Sequence, residues 1–282
     1  MPMRFFLFTK AALISGASLS GISEDAARIS ERRKKLLSEH GFSEDYLELH
    51  YTCNLCKDTG FINDHKCRCF EQAVVDLLYA QSNVRNAIKT ENFDTFSYEY
   101  YSSDRTEPIT GLTPLANIKN VVASIKNFII SFDKEYSNLL IYGSTGVGKT
   151  FLSNCIANEL LSTAHTVIYL TAFQLFDYLE HCTFKTAGED ASFKDYDYLL
   201  DCDLLIIDDL GTELVNAFTT SSLYLCINER HLRRKSTIIS TNLSFDQLQA
   251  TYSERLFSRI TANYEMLKIF GEDIRLKKAF VK

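Results

Sequence analysis

Eight consecutive residues, Gly143-Ser144-Thr145-Gly146-Val147-Gly148-Lys149-Thr150, carry glycines, a lysine and a hydroxyl at the spacing of a nucleotide phosphate loop. Glycines let the backbone fold so closely that successive N–H groups face the phosphates. Lys149 then reaches the terminal phosphates, and the Thr150 hydroxyl is placed to hold Mg²⁺. Residues 143–151, through Phe151, are the expected ATP contacts. A second constellation lies downstream, where the apolar run Leu204-Leu205-Ile206-Ile207 ends in Asp208 and Asp209. Asp208 is expected to hold Mg²⁺ through water and Asp209 to polarise an attacking water. Glu213 follows closely enough to assist, or it serves as a helix-start acid.

Four further polar positions complete the expected site. Asn242, after the run Thr237-Ile238-Ile239-Ser240-Thr241, either orients the water against the γ-phosphate or forms a turn. Arg255 and Arg259 stand four apart on one helix face. Arg259 is the preferred finger toward a neighbouring subunit's γ-phosphate, with Arg255 in support; the alternative is a solvated pair. Arg275, beyond the last expected strand, is a candidate second nucleotide sensor. Little chain follows it, so a helical lid is not expected, and closure by a neighbouring copy favours a homo-oligomer.

Four of the eight cysteines crowd into one segment as Cys53-x-x-Cys56 and Cys67-x-Cys69, ten residues apart. That spacing suits four thiolates around a tetrahedral, structural Zn²⁺, with Fe–S or redox use as alternatives and His65 as a substitute ligand. Cys155, Cys182, Cys202 and Cys226 fall in apolar or helical stretches and read as buried thiols, which places the chain in a reducing, cytoplasmic compartment.

These residues need a scaffold. The 282 residues, 46% hydrophobic, suffice for one medium domain with a smaller appendage, and the formal charge of −6 excludes a surface that is cationic throughout. No run approaches the ~20 apolar residues of a membrane span. Residues 1–22 read as a flexible tail; Lys10 interrupts the apolar run that superficially resembles a signal peptide. Ser23 to His40 reads as an amphipathic helix stopped by Gly41, and residues 70–90 as another. Aromatic rings from Phe93 to Tyr101 either stack on a base or anchor the core. Strands are expected at 138–142, 166–170, 204–208, 237–241 and 267–270, with helices between them, which predicts a parallel sheet covered on both faces. Residues 23–91 form the helical and zinc-binding region in this reading, and 92–282 the nucleotide-binding domain. Basic groups at Arg230, Arg233, Arg234 and Lys235, and at Arg275, Lys277 and Lys278, line a nucleic-acid path or a solvated surface.

In their order and number these motifs resemble the AAA+ ATPases of the helicase-loader group, the DnaC/DnaI-like proteins, with IstB-like transposition ATPases as relatives. The resemblance rests on the cysteine segment with Lys57-Asp58-Thr59-Gly60, on Asn92-Phe93-Asp94-Thr95-Phe96, and on residues 138–150, 206–213, 240–242 and 253–260. It implies an α/β P-loop NTPase with a five-stranded parallel sheet, little or no C-terminal lid, and a small N-terminal helical and zinc-binding region. It further implies ATP hydrolysis that controls contact with single-stranded DNA and a replicative helicase. Two other classes stand beside that reading: a small-molecule P-loop kinase, and a nucleotide-dependent adaptor with little turnover.

Overall fold

The computed structural model describes residues 19–47, 49–63, 65–78, 87, 90–163, 165–184 and 192–280. The tail expected at 1–22 therefore lies, through residue 18, outside the described residues. The chain groups into two compact units, Met1–Asn54 and Leu55–Lys282.

In the first unit, helix α1 (Leu19–Glu39) starts four residues before the expected serine. Once a helix is nucleated, each added residue gains a hydrogen bond at the cost of fixing one residue, so extension past Ser23 is cheap. Gly41, at φ 78°, ends it, and Phe42 folds back to donate its N–H to the Leu37 carbonyl (2.9 Å).

The second unit contains a small antiparallel hairpin, β1 (Phe61–Ile62) and β2 (His65–Lys66), followed by α2 (Arg68–Leu78). Helix α3 (Pro114–Ser131) is capped by Thr113, whose hydroxyl accepts the Ala116 N–H (3.2 Å). The remaining elements alternate: β3 (Leu139–Tyr142), α4 (Lys149–Ser162), β4 (Val167–Thr171), α5 (Ala172–Phe184), α6 (Ser192–Asp201), β5 (Leu204–Leu210), α7 (Ala217–Leu232), β6 (Ser236–Thr241), α8 (Phe245–Thr251), α9 (Glu254–Asn263), β7 (Glu265–Lys268) and α10 (Ile274–Phe280). The five long strands form one parallel sheet in the order β4-β5-β6-β3-β7. Their near-continuous apolar runs are what a sheet buried on both faces demands.

Side-chain alternation builds two cores. Leu139, Ile141, Leu204, Ile206 and Ile238 face α3 and α4, whereas Leu140, Leu205, Ile207 and Ile239 face α5 to α9. Most of these are fully buried, and each contributes about 1.5–3 kcal/mol. Strand β7 begins at Glu265, two residues before the expected start, because its pairing with β3 runs from Leu139–Glu265 to Tyr142–Lys268. An edge strand tolerates such polar positions on its open side. At the other edge, Gln72 of α2 stands in for a neighbouring strand: its side-chain oxygen accepts the Val167 N–H (2.8 Å) and its amide donates to the Val167 carbonyl (3.4 Å).

The basic run at 230–235 is only partly surface, with Arg233 and Arg234 exposed. Arg230 is fully buried at the amino end of the sheet. It donates to the carbonyls of Leu199 (2.6 Å), Leu200 (3.2 Å), Cys202 (3.2 Å) and Ser236 (2.6 Å), and to the Thr237 hydroxyl (3.0 Å). It thus closes the carboxyl end of α6, where a cation complements the helix dipole. Arg233 pairs with Asp201 (2.7 Å), Lys235 with Asp203 (3.0 Å), and Arg234 stacks over Tyr136. No helix among the described residues is long and apolar enough to cross a membrane.

Candidate functional site

The sheet order places β4 and β5 on one side of β3 and β7 on the other, and ligand crevices form outside the carboxyl ends at such reversals. The phosphate loop emerges there, from the end of β3. Gly148, at φ 102°, is the N-cap of α4, a left-handed conformation that any larger residue adopts at a cost. At Gly143 a side chain is excluded by packing, since a Cβ would lie 1.9 Å from the Ile269 carbonyl oxygen. The loop therefore offers bare backbone N–H groups at a helix N-terminus, the geometry that receives phosphate.

Lys149 is 4% exposed, and its ammonium donates to the carbonyls of Gly143 and Ser144 (2.8 Å each) and to Asn242 Oδ1. Burial pushes its pKa below the usual lysine value. Across the site, Thr150 Oγ1 donates to Asp208 Oδ1 (3.3 Å). Asp209 lies beside them, and Asn242 hydrogen-bonds to it as well as to Lys149. Burial, with Asp208 adjacent, raises the Asp209 pKa, against the pull of Lys149 and Arg275. Lys149, Thr150, Asp208, Asp209 and Asn242 thus converge although 93 residues separate the first from the last.

The remaining expectations separate. Arg275 lines the same cleft; its segment is pinned to the loop by the Ile274 N–H on the Gly146 carbonyl (2.9 Å), and Asp273 Oδ1 accepts the Arg275 N–H (2.8 Å). Arg259 donates to Asn228 Oδ1 (2.7 Å) and is not part of the cleft wall, and Arg255 is exposed. Glu213 accepts the Gly211 N–H (2.9 Å) and the Tyr252 hydroxyl, so it closes its own loop and does not face the carboxylates. The rings do both jobs. Tyr101 is a core anchor whose hydroxyl donates to the Val147 carbonyl (2.8 Å), and with half-buried Phe96 and Tyr100 it also lines the cleft. Phe96 stands 5.7 Å from the ring of Phe151. Sequence reasoning missed Glu91, which lines the cleft and accepts from Asn154 Nδ2 (2.6 Å); a lone acid carries no motif that marks it.

The cysteine segment folds locally. The Sγ atoms of Cys53, Cys56, Cys67 and Cys69 all lie within 4.8 Å of one another, Cys56 and Cys69 at 3.3 Å, and three of the four residues are buried. Arms of about 2.3 Å in a tetrahedron set sulfurs about 3.8 Å apart, so the donor set fits zinc. His65 is exposed and outside this group.

A family model described as IstB-like ATP binding protein matches residues 117–281. The replicative helicase loader DnaC of Buchnera aphidicola subsp. Baizongia pistaciae is 24% identical over 160 residues, 57% of this chain and 65% of that protein. The chromosomal replication initiator protein DnaA of Helicobacter pylori strain G27 is 28% identical over 210 residues, 72% of this chain and 41% of that protein. The chain thus spans less than two thirds of the length of either. Among solved structures, a crystal structure of the DnaC helicase loader superposes with a TM-score of 0.52 at 24% identity, covering 65% of this chain and 98% of that one. That likeness establishes the AAA+ P-loop NTPase fold.

Proposed function

We propose that this chain, which belongs to the family of IstB-like ATP binding proteins, is a DNA-replication ATPase of helicase-loader type. In this role it uses Mg²⁺-ATP to control contact with a replicative helicase and single-stranded DNA. The observation that carries the reading is the convergence of Lys149, Thr150, Asp208, Asp209 and Asn242 at the carboxyl ends of β3, β5 and β6.

The loop N–H groups and Lys149 hold the phosphates. Thr150 and Asp208 would hold a magnesium ion, which would supply charge neutralisation at the phosphate oxygens. Asp209 takes the proton of the attacking water and Asn242 orients that water. Arg275 reaches the nucleotide in cis. Arg259, outside its own cleft, serves the site of an adjacent copy in an ATP-bound homo-oligomer. Cys53, Cys56, Cys67 and Cys69 hold a structural zinc ion. Contact with a helicase and with single-stranded DNA rests on the resemblance to loaders, and the burial of Arg230 takes that one cation out of any strand path.

The test is affinity capture with Asp209→Asn, which retains ATP while slowing hydrolysis. Recovery of a hexameric helicase supports the loader reading, and recovery of a transposase replaces it with a transposition helper. ATP turnover that stays at background with and without single-stranded DNA, while nucleotide binding persists, moves the protein to the adaptor class.

A further inference from the structure

In a regular strand successive side chains point to opposite faces, so two adjacent acids cannot both serve one site. Strand β5 obeys this up to Asp208: Leu204 and Ile206 face the α3/α4 core, and Leu205 and Ile207 the other. By that alternation Asp209 belongs among the apolar side chains packed under α5 to α9. It is not there. The pairing of β5 with β6 runs Ile207–Ile239 and then Leu210–Thr241, so Asp208 and Asp209 together oppose the single residue Ser240. This is a β-bulge, and Leu210 takes the place in the apolar core that Asp209 leaves. Asp209 adopts φ 55°, the left-handed region that an aspartate enters at a cost.

Such a bulge leaves polar groups of the bulged strand without ladder partners, and one side chain here meets them. Ser240 is fully buried, donates its hydroxyl to Asp208 Oδ1, and accepts the Asp209 backbone N–H at 3.0 Å. We infer that Ser240 is the positioning residue of this site: its hydroxyl holds the bulge that turns Asp208 and Asp209 toward the same magnesium-nucleotide. One hydroxyl fixes the carboxylate of the first acid and the backbone of the second. Thr150 supplies the other hydrogen bond to Asp208 Oδ1, so that oxygen is aimed from two sides. The alternating pattern of β6 puts Ser240 on the α3/α4 face with Ile238, where an apolar residue would complete the core. A buried hydroxyl there is tolerated because both of its hydrogen-bonding capacities are used.

This inference rests on the Mg²⁺-ATP site proposed above, and its test separates the two. The full chain carrying Ser240→Ala or Ser240→Thr is compared with wild type by fluorescence titration of mant-ATP, in EDTA and across a Mg²⁺ series, and by steady-state ATP hydrolysis. Ser240→Ala is expected to keep its affinity in EDTA within about 2-fold, to need about 3- to 10-fold more Mg²⁺ for half-maximal effect, and to lose about 10-fold in kcat with KM little changed. Ser240→Thr retains the hydroxyl in a β-branched side chain suited to a strand, and restores both readouts toward wild type. An unchanged Mg²⁺ midpoint and kcat in Ser240→Ala overturns the inference. So does an EDTA affinity that falls in step with kcat, or a threonine variant no better than alanine. If wild type binds Mg²⁺-ATP without turnover and the midpoint still shifts in Ser240→Ala, the hydrolysis reading fails and the positioning role stands.

Discussion

The two ends of the central sheet each bury a cation, and they use it in opposite ways. At the amino end Arg230 is saturated by four carbonyls and a hydroxyl drawn from α6, from Cys202 just beyond it, and from β6. Nearby, Asp203 is held by the Thr166 N–H (3.0 Å), the Thr166 hydroxyl (2.9 Å) and Lys235; although burial alone raises its pKa, these partners bring it below the usual carboxylate range. At the carboxyl end Lys149 rests on loop carbonyls and an amide, its pKa lowered by burial, and Asp209 sits in a left-handed backbone with its pKa raised. One end has partners that lower the free energy of its charges. The other keeps its charges in unfavourable surroundings, which a nucleotide and a cation relieve. The lesson is that burial of charge marks a site only where the partners leave it unfavourably placed.

The contrast is broken most forcefully at Arg230. Arg230→Met is expected to cost about 3–5 kcal/mol, read by chemical denaturation, because four carbonyls lose their donor; nucleotide affinity of the folded fraction stays within about 2-fold. Asp209→Asn should act in the opposite sense. Hydrolysis falls about 10²- to 10³-fold, while the melting temperature rises by about 2–5 °C. The sign follows from the raised pKa: the folded chain disfavours the charged carboxylate, so stability is full below the unfolded value and is lost as pH rises through the raised folded one, and an amide removes that loss. Hydrolysis by wild type then declines as pH falls through the raised Asp209 pKa, so its acid limb lies above the ordinary value of about 3.9.

Lys149→Ala weakens mant-ATP binding by at least about 100-fold with thermal stability unchanged or increased, since the lysine is desolvated. Asp203→Asn lowers the melting temperature by about 2–5 °C at pH 7. That difference closes as pH falls below about 4, because a depressed carboxylate stabilises above its unfolded pKa and loses its contribution on protonation. Smallest of all is the effect of zinc removal on the nucleotide. A chelator releases one zinc per chain by elemental analysis and changes mant-ATP affinity by less than about 2-fold, because Arg68 and Glu71, beside Cys67 and Cys69, lie with Asp203 and Lys235 at the amino end of the strands, opposite the phosphate loop. A large loss of affinity would show that Gln72, which ties α2 to the edge of β4, transmits more than edge protection.

Legibility followed locality. The phosphate loop is eight contiguous residues whose types only one backbone geometry explains, and the four cysteines lie within 17 residues, so both were readable before any fold was known. The five strands were readable as apolar runs, although the start of β7 was not, because pairing with β3 and not hydropathy decides it. Arg230 was misread as part of a basic surface. In the chain it is one of four cations in six residues, and only the arrival of Leu199 to Cys202, about 30 residues distant, buries it. Glu91 carried no signal at all, since its place in the cleft depends on Asn154 of another helix.

By itself, then, the amino-acid sequence determined which local groups exist: a glycine-rich phosphate loop, an apolar run leading into two acids, a knot of thiols. Tertiary structure decided what those groups face. The two acids illustrate the division. Their adjacency is written in the chain, and by strand geometry alone it would send them to opposite faces of the sheet. Only the extra residue in the pairing with β6, held by the Ser240 hydroxyl, brings them to one side. The physical reason is general: residue types and short spacings encode chemistry, whereas the direction of a side chain is set by hydrogen bonds to strands and helices remote in the chain.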